Sequence, residues 1–271
     1  MAESLTSLLR RIEEINCKVA AQGRDVIVVG SFQVLIDPSC DMTWLNYAVP
    51  VEPLGVNTEV NQVLVELREV FAERDRILRF EFTESLWPKL PGLLEDAGFT
   101  VEARHPMMLC TPADFQPYPV SKVQVEYLTA ADDIKTLTTY LSVRNQGFDY
   151  HADEPPTKQE IAELSEQIQQ GRMRCALARL DGIPGGIGVI LPMFGIAELA
   201  GVATIPALRR RGVAATLCSV LINDHFQSGG DLVWLSAGDE IAQATYERIG
   251  FRVVDTRLNY IDATVKEYKH Y

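Results

Sequence analysis

From Ile196 to Phe251 the chain carries residues that a strand, a tight basic turn and a helix satisfy in succession. The run Ile196-Ala197-Glu198-Leu199-Ala200-Gly201-Val202-Ala203-Thr204 is apolar apart from Glu198, Gly201 and Thr204, and reads as a buried strand. Pro206 stops pairing and marks a turn. Next comes Arg209-Arg210-Arg211-Gly212-Val213-Ala214, and Ala214, Leu217, Cys218, Leu221 and Phe226 then recur at roughly helical spacing from about Val213. Gln227-Ser228-Gly229-Gly230 ends that helix with residues able to take left-handed conformations. Such a turn aims several backbone N–H groups and a helix N-terminus at one point, which suits a phosphate.

Arg209-x-x-Gly212-x-Ala214 resembles the acyl-CoA-binding motif of the GCN5-related N-acetyltransferase (GNAT) superfamily, Gln/Arg-x-x-Gly-x-Gly/Ala. Val202-Ala203-Thr204-Ile205-Pro206 before it and Tyr246-Glu247-Arg248-Ile249-Gly250-Phe251 after it are similar to that family, in the same order. The resemblance implies an α/β (α+β) GNAT fold, with a mixed central sheet flanked by helices. The implied activity is transfer of an acetyl group from acetyl-CoA to a primary amine, on a small molecule or a protein, by direct attack in a ternary complex without a metal.

The resemblance also places the site. Arg209, Arg210, Arg211, Gly212, Val213 and Ala214 would take the pyrophosphate, mainly through backbone N–H groups. Val202, Ala203 and Thr204 would offer a strand edge to the amides of pantetheine, with a bulge at Gly201 splaying the strands. Gln243 stands where the family often places an asparagine on pantetheine, and Tyr246 where a tyrosine protonates the departing thiolate. Helical spacing puts Gln243 and Tyr246 on one side and Ile241, Thr245 and Ile249 on the other. Glu198 is the leading general base. It is a carboxylate in an apolar strand, where burial raises its pKa, and its distance ahead of Arg209 resembles that of the glutamate base in histone-type members. Asp149, His151 and the C-terminal carboxylate of Tyr271 are weaker bases; Asn145, Phe148 and Tyr150 belong to the implied acceptor wall. A glutamate at position 212 is expected to abolish acetyl-CoA binding and leave the fold intact.

Composition narrows the alternatives. The formal net charge is −12, which disfavours nucleic-acid and membrane-surface partners, so the three arginines stand out locally. Cys17, Cys40, Cys110, Cys175 and Cys218 are odd in number and scattered without a CxxC or Cys/His cluster, so neither a zinc site nor a disulfide framework is expected. No apolar run reaches membrane-span length and no secretory signal opens the chain, so the expected location is cytoplasmic. Gly185-Gly186-Ile187-Gly188 lies between two strands with no following helix, so it is not a dinucleotide-binding loop.

Along the chain, Leu5, Leu8, Leu9, Ile12 and Ile15 mark an amphipathic N-terminal helix able to cover a core or a partner subunit, which allows a homodimer. Strands are expected at 25–36, 42–51, 78–82 and 100–110, and helices at 57–74 and 87–97. The expected domains are 1–116, 121–262 with the GNAT signature, and a tail at 263–271, with Pro-rich 111–119 as linker. Within the second, Thr157-Lys158-Gln159-Glu160 fits a capping box and Asp181-Gly182 a hairpin. Ala97-Gly98-Phe99 parallels Ile249-Gly250-Phe251, so the first domain is either a degenerate GNAT-like repeat or an unrelated α/β domain. Its Pro53-Leu54-Gly55-Val56-Asn57 lacks the phosphate motif. A different functional class also stays open: a catalytically silent acyl-CoA sensor or protein-interaction module, distinguished by binding without transfer.

Overall fold

The computed structural model of the chain describes residues 3–55, 57–129, 131–150, 154–171 and 173–264. Its first elements are α1 (Leu5–Ala20), β1 (Asp25–Val29), β2 (Phe32–Ile36), β3 (Tyr47–Pro50), α2 (Asn57–Ala72), β4 (Arg79–Thr83), α3 (Leu90–Asp96) and β5 (Phe99–Cys110). They are followed by β6 (Val123–Tyr127), α4 (Ile134–Phe148), α5 (Lys158–Gln169), β7 (Arg174–Leu180), β8 (Ile183–Met193) and β9 (Ile196–Thr204). The last are α6 (Val213–Gln227), β10 (Leu232–Ser236), α7 (Glu240–Glu247) and β11 (Arg252–Asp262). Two compact units result: residues up to Met107 together with those from Asp255, and Met108–Val254.

In the first unit, β1, β2 and β3 pair antiparallel, α2 crosses over, and β4 lies parallel to β3 with Ala48 opposite Phe80. Phe80 meets Phe32 and Phe99 edge-on at 5.4 and 5.2 Å, in a core with Leu64, Leu67, Phe71 and Leu90. β11 pairs antiparallel with β4, so Leu258 and Tyr260 join this core. The division at 116 and 262 read from the sequence is therefore corrected: 108–116 group with the second unit and 255–262 with the first. Burial of Met108 and Cys110 in one core and of Leu258 and Tyr260 in the other is the physical reason.

From β7 onward the second unit has the same pairing order, with β6 as one more antiparallel strand. β6, β7, β8 and β9 run antiparallel, α6 crosses over, and β10 lies parallel to β9. One face of the sheet is covered by α6, whose Val213, Leu217, Cys218 and Leu221 pack on Ala197, Leu199, Val233 and Leu235. α4 and α5 supply Leu137, Tyr140, Leu141 and Leu164 to a separate cluster with Cys175, Leu177 and Ile187. Asp133 caps α4 and the Thr157–Glu160 capping box opens α5. The glycines of β8 let α6 approach the sheet: a Cβ on Gly186 would stand 2.5 Å from Val213, and one on Gly188 2.5 Å from Leu217.

Two further expectations change. Residues 42–51 are not one strand; a single 3₁₀ turn at Thr43–Leu45 precedes the short β3. The Pro-rich stretch is not a free linker but a strap on the second unit. Thr216 Oγ1 donates to the Tyr118 carbonyl and accepts from Val120 N–H, Ser219 Oγ accepts from Tyr118 N–H, and Gln116 N–H reaches the Ile249 carbonyl. His151, Tyr271 and the tail beyond Thr264 lie outside the described residues. No helix among the described residues is long and apolar enough to cross a membrane.

Candidate functional site

β9 and β10 pair at three positions, ending with Glu198 opposite Trp234. Beyond that pair β9 continues through Leu199–Thr204, so the two parallel strands part there, among the described residues. The register between β8 and β9 shifts over the same stretch: Val189 faces Ala200 and Ile187 faces Ala203, leaving Gly201 and Val202 opposite Gly188 alone. This is the bulge expected at Gly201, whose φ of +57° is a conformation that costs glycine little. It also turns over the alternation of side chains. Leu199 faces the α6 cluster before the bulge, and Ala203 faces the α4 cluster after it.

At the end of β9, residues Pro206–Leu208 form a 3₁₀ turn and the arginine loop begins. Arg209 folds back: Nε donates to the Thr204 carbonyl at 3.0 Å and an Nη to the Gly147 carbonyl at 3.0 Å. It ties the loop to β9 and α4, a role that residue type alone did not reveal. Arg210 adopts φ +62°, unusual for a side chain with a Cβ, and both it and Arg211 are exposed. Arg211 stands 3.7 Å from Asp181, a half-exposed pair of little energetic weight. Gly212, at φ +80°, is the residue before α6 and offers no side-chain cap. The N–H groups of the first α6 turn are therefore left for an external acceptor, with the positive end of the helix dipole behind them.

A Cβ on Gly212 would stand 2.6 Å from Val120 Cγ2, on the strap. The expectation that a glutamate at 212 spares the fold is thereby corrected, because positive φ and the Val120 contact both oppose any side chain there. Ala214, the second residue of α6 and half-buried, presents no such backbone constraint.

Tyr246 lies on α7 and is 9% exposed, in the same apolar cluster as Val213, Leu217 and Cys218 of α6, with its ring edge-on to Phe251 at 5.8 Å. Burial pushes its phenol well above the ordinary value, with Cys218 and Asp239 adding to the effect. Asp239 caps α7 by accepting the Ala242 N–H at 2.7 Å. Gln243 is half-buried and donates to Glu247 at 2.8 Å. The helical-wheel reading of α7 needs correction: the helix ends at Glu247, Ile241 is 62% exposed, and Tyr246 and Ile249 are the buried pair. Gly250, at φ +102°, lets the chain pass under the strap, since a Cβ there would stand 2.1 Å from the Asp114 carbonyl oxygen.

Glu198 is half-buried at the position where the strands part, flanked by Leu191 on β8 and Trp234 on β10. Its neighbours Ala197 and Leu199 face α6, so it leaves the sheet on the other face, the side of α4. Of the implied acceptor wall, Asn145 is buried, and Phe148 and Tyr150 stack at 5.5 Å with 37% and 48% of their surfaces exposed. Asp149 between them is the left-handed cap of α4. Three residues missed in the sequence shape this region. Gly147 admits Ala203 against α4, since a Cβ there would lie 2.6 Å from that of Ala203, and Thr216 and Ser219 hold the strap. Their signal was two hydroxyls three apart on an otherwise apolar helix face.

Compared with known proteins, residues 142–251 match the family model described as Acetyltransferase (GNAT) family. A GCN5-related N-acetyltransferase from Kribbella flavida is 25% identical, over 94% of this chain and 96% of its own, with a TM-score of 0.77. A GCN5-related N-acetyltransferase from Sphaerobacter thermophilus is 16% identical over 92% of this chain and 84% of its own, with a TM-score of 0.65. A tandem GNAT protein from the clavulanic acid biosynthesis pathway is 14% identical over 89% of this chain and 81% of its own, with a TM-score of 0.62. The last two likenesses concern the fold alone. No curated protein matches the chain. The strand fork, the bulge and the uncapped α6 all fall inside the matched segment, so it is residues 142–251 that are similar to the GNAT acetyltransferase family.

Proposed function

We propose that the second unit transfers an acetyl group from acetyl-CoA to a primary amine by direct attack in a ternary complex. The observation that carries this reading is the uncapped N-terminus of α6, preceded by Arg210, Arg211 and Gly212 and joined by one short turn to a β9 stretch beyond its pairing with β10. The loop N–H groups bind the pyrophosphate, and Val202, Ala203 and Thr204 pair with the pantetheine amides. Arg209 holds the loop in place, and its two backbone bonds leave phosphate contact mainly to its neighbours.

Attack requires a neutral amine. Glu198, at the fork, takes the ammonium proton directly or through a water, and the free amine then adds to the thioester carbonyl. Collapse of the tetrahedral intermediate expels the CoA thiolate, toward which Tyr246 donates a hydrogen bond, and the proton shed by the acylated nitrogen passes to that sulfur to give the neutral amide and the free thiol. A phenol raised above its usual value stays protonated throughout the working pH range, while an ordinary thiol titrates near about 8.5. Complete proton transfer from Tyr246 is therefore uphill, and its main contribution is a hydrogen bond to the developing thiolate. Gln243 supports the pantetheine arm. In the same reading, the first unit is a degenerate copy. It repeats the hairpin, third strand, crossover and parallel fourth strand, but its α2 carries Glu59 in the first turn, where an anion site needs open N–H groups.

The test is calorimetric titration with acetyl-CoA, followed by thiol release with a panel of primary amines. Binding and amine-dependent release support the proposal. Binding with no release to any amine favours the sensor reading, and no binding rejects both.

A further inference from the structure

The first unit holds a cavity of about 360 Å³ that the acetyl-transfer reading does not use. It is lined by Arg10, Glu13, Glu14, Cys17, Lys18 and Ala21 of α1, and closed by Gln33, Pro50, Val51, Leu86 and Trp87. Pro50 ends β3 and Thr83 ends the parallel β4, so the cavity opens beyond the carboxyl ends of two parallel strands. That is where open α/β sheets generally bind small ligands. The wall after β3 is held by Val51 N–H donating to the Ser31 carbonyl at 2.9 Å and by Ser31 Oγ donating to the Pro53 carbonyl at 3.0 Å.

One lining carboxylate is unusually fixed. Glu13 Oε1 takes the Thr83 N–H at 3.0 Å, the Thr83 hydroxyl, and Nη1 of Arg257, which is 4% exposed. Oε2 of the same carboxylate takes no hydrogen bond among the described residues. A buried arginine thus orients a carboxylate whose second oxygen is left for a donor. Arg10, Glu14 and Lys18 follow at four-residue intervals along the same helix, so charges alternate plus, minus, plus beside Glu13. Arg10 and Glu14 make no ion pair with each other among the described residues. Leu86, Trp87, Pro50 and Val51 give the opposite wall an apolar character.

We infer that this cavity binds a free α-amino acid with an apolar side chain. The ammonium lies between Glu13 Oε2 and Glu14, the carboxylate faces Arg10, and the side chain rests on Trp87 and Leu86. The inference stands apart from acetyl transfer, since it concerns other residues and needs no donor.

The test follows tryptophan fluorescence of the full chain during titration with free leucine, methionine and phenylalanine, with Trp87→Phe to assign the signal. N-acetyl-leucine, which lacks the ammonium, and leucine methyl ester, which lacks the carboxylate, are titrated in parallel. Expected is saturable binding with Kd below about 1 mM, weaker by about tenfold or more for each blocked derivative. Glu14→Gln and Arg10→Gln are exposed substitutions that spare the Glu13–Arg257 pair. Each is expected to weaken binding by about tenfold and leave acetyl-CoA affinity unaltered. Absence of saturable binding up to about 10 mM, equal binding of the blocked derivatives, or indifference to both substitutions overturns the inference.

Discussion

Replacing Ala214 by glutamate separates binding from folding at the α6 N-terminus. Ala214 is the second residue of the helix, half-buried, with no constraint of the kind that Val120 places on Gly212. In the unliganded protein a carboxylate in the first turn gains about 0.3–1 kcal/mol from the helix dipole. That offsets a helix-propensity cost of a few tenths of a kcal/mol for leaving alanine. Toward a pyrophosphate the sign reverses. Two unit charges about 4 Å apart at an effective dielectric of about 20 interact by about 4 kcal/mol, and solvent and rotamer freedom reduce that figure. A loss of about 3 kcal/mol, or more than about a hundredfold in Kd, is expected. Calorimetric titration with acetyl-CoA measures the affinity, and thermal melting should show Tm unchanged or slightly raised. Ala214→Gln, similar in bulk but neutral, should keep most of the affinity. Unaltered binding by Ala214→Glu, or an equal loss in both variants, would refute the electrostatic reasoning.

Other substitutions probe the remaining parts. Tyr246→Phe should lower kcat by about a hundredfold or more with acetyl-CoA affinity retained, read by thiol release and calorimetry. Glu198→Gln should cost about 10²–10⁴ in turnover near neutral pH; an unaltered rate removes it as the base. Gly250→Ala should destabilise by about 2–5 kcal/mol in denaturant titration, from its positive φ together with collision with the Asp114 backbone. At Gly98, also at positive φ, an added Cβ would make only an ordinary 3.4 Å contact with Thr264, so Gly98→Ala should cost less. His225 is 5% exposed and its pKa is lowered by burial. Its contribution to stability is complete above about pH 6.5, the unfolded value, and is lost as pH falls toward the lower folded value. Melting curves between about pH 7.5 and 5.5 should show that loss, and His225→Gln should flatten it.

Much of the domain was legible because its signals are local. The Thr157–Glu160 capping box and the Asp181-Gly182 hairpin depend on residues within one turn of each other, and both form. The bulge at Gly201 was what the resemblance implied, and the register shift between β8 and β9 falls there. Reading failed where long-range packing decided. The wheel of α7 separated two faces, but packing against the α6 cluster turns Tyr246 and Ile249, one from each, into the core while Ile241 stays exposed. The prolines of the strap suggested a linker, because nothing nearby in sequence announces Thr216 and Ser219, some hundred residues on, as its anchors.

The sequence by itself determined the strand–turn–helix of the arginine loop and the order of elements around it, since periodicity, glycine and proline act over a few residues. Only the tertiary structure decided which arginine binds backbone, where β9 leaves β10, which unit owns the last strand and how Arg257 fixes Glu13. Those outcomes depend on hydrogen bonds and burial between residues far apart in the chain. Glu13 and Arg257, separated by 244 positions, meet only once the first unit has closed around them.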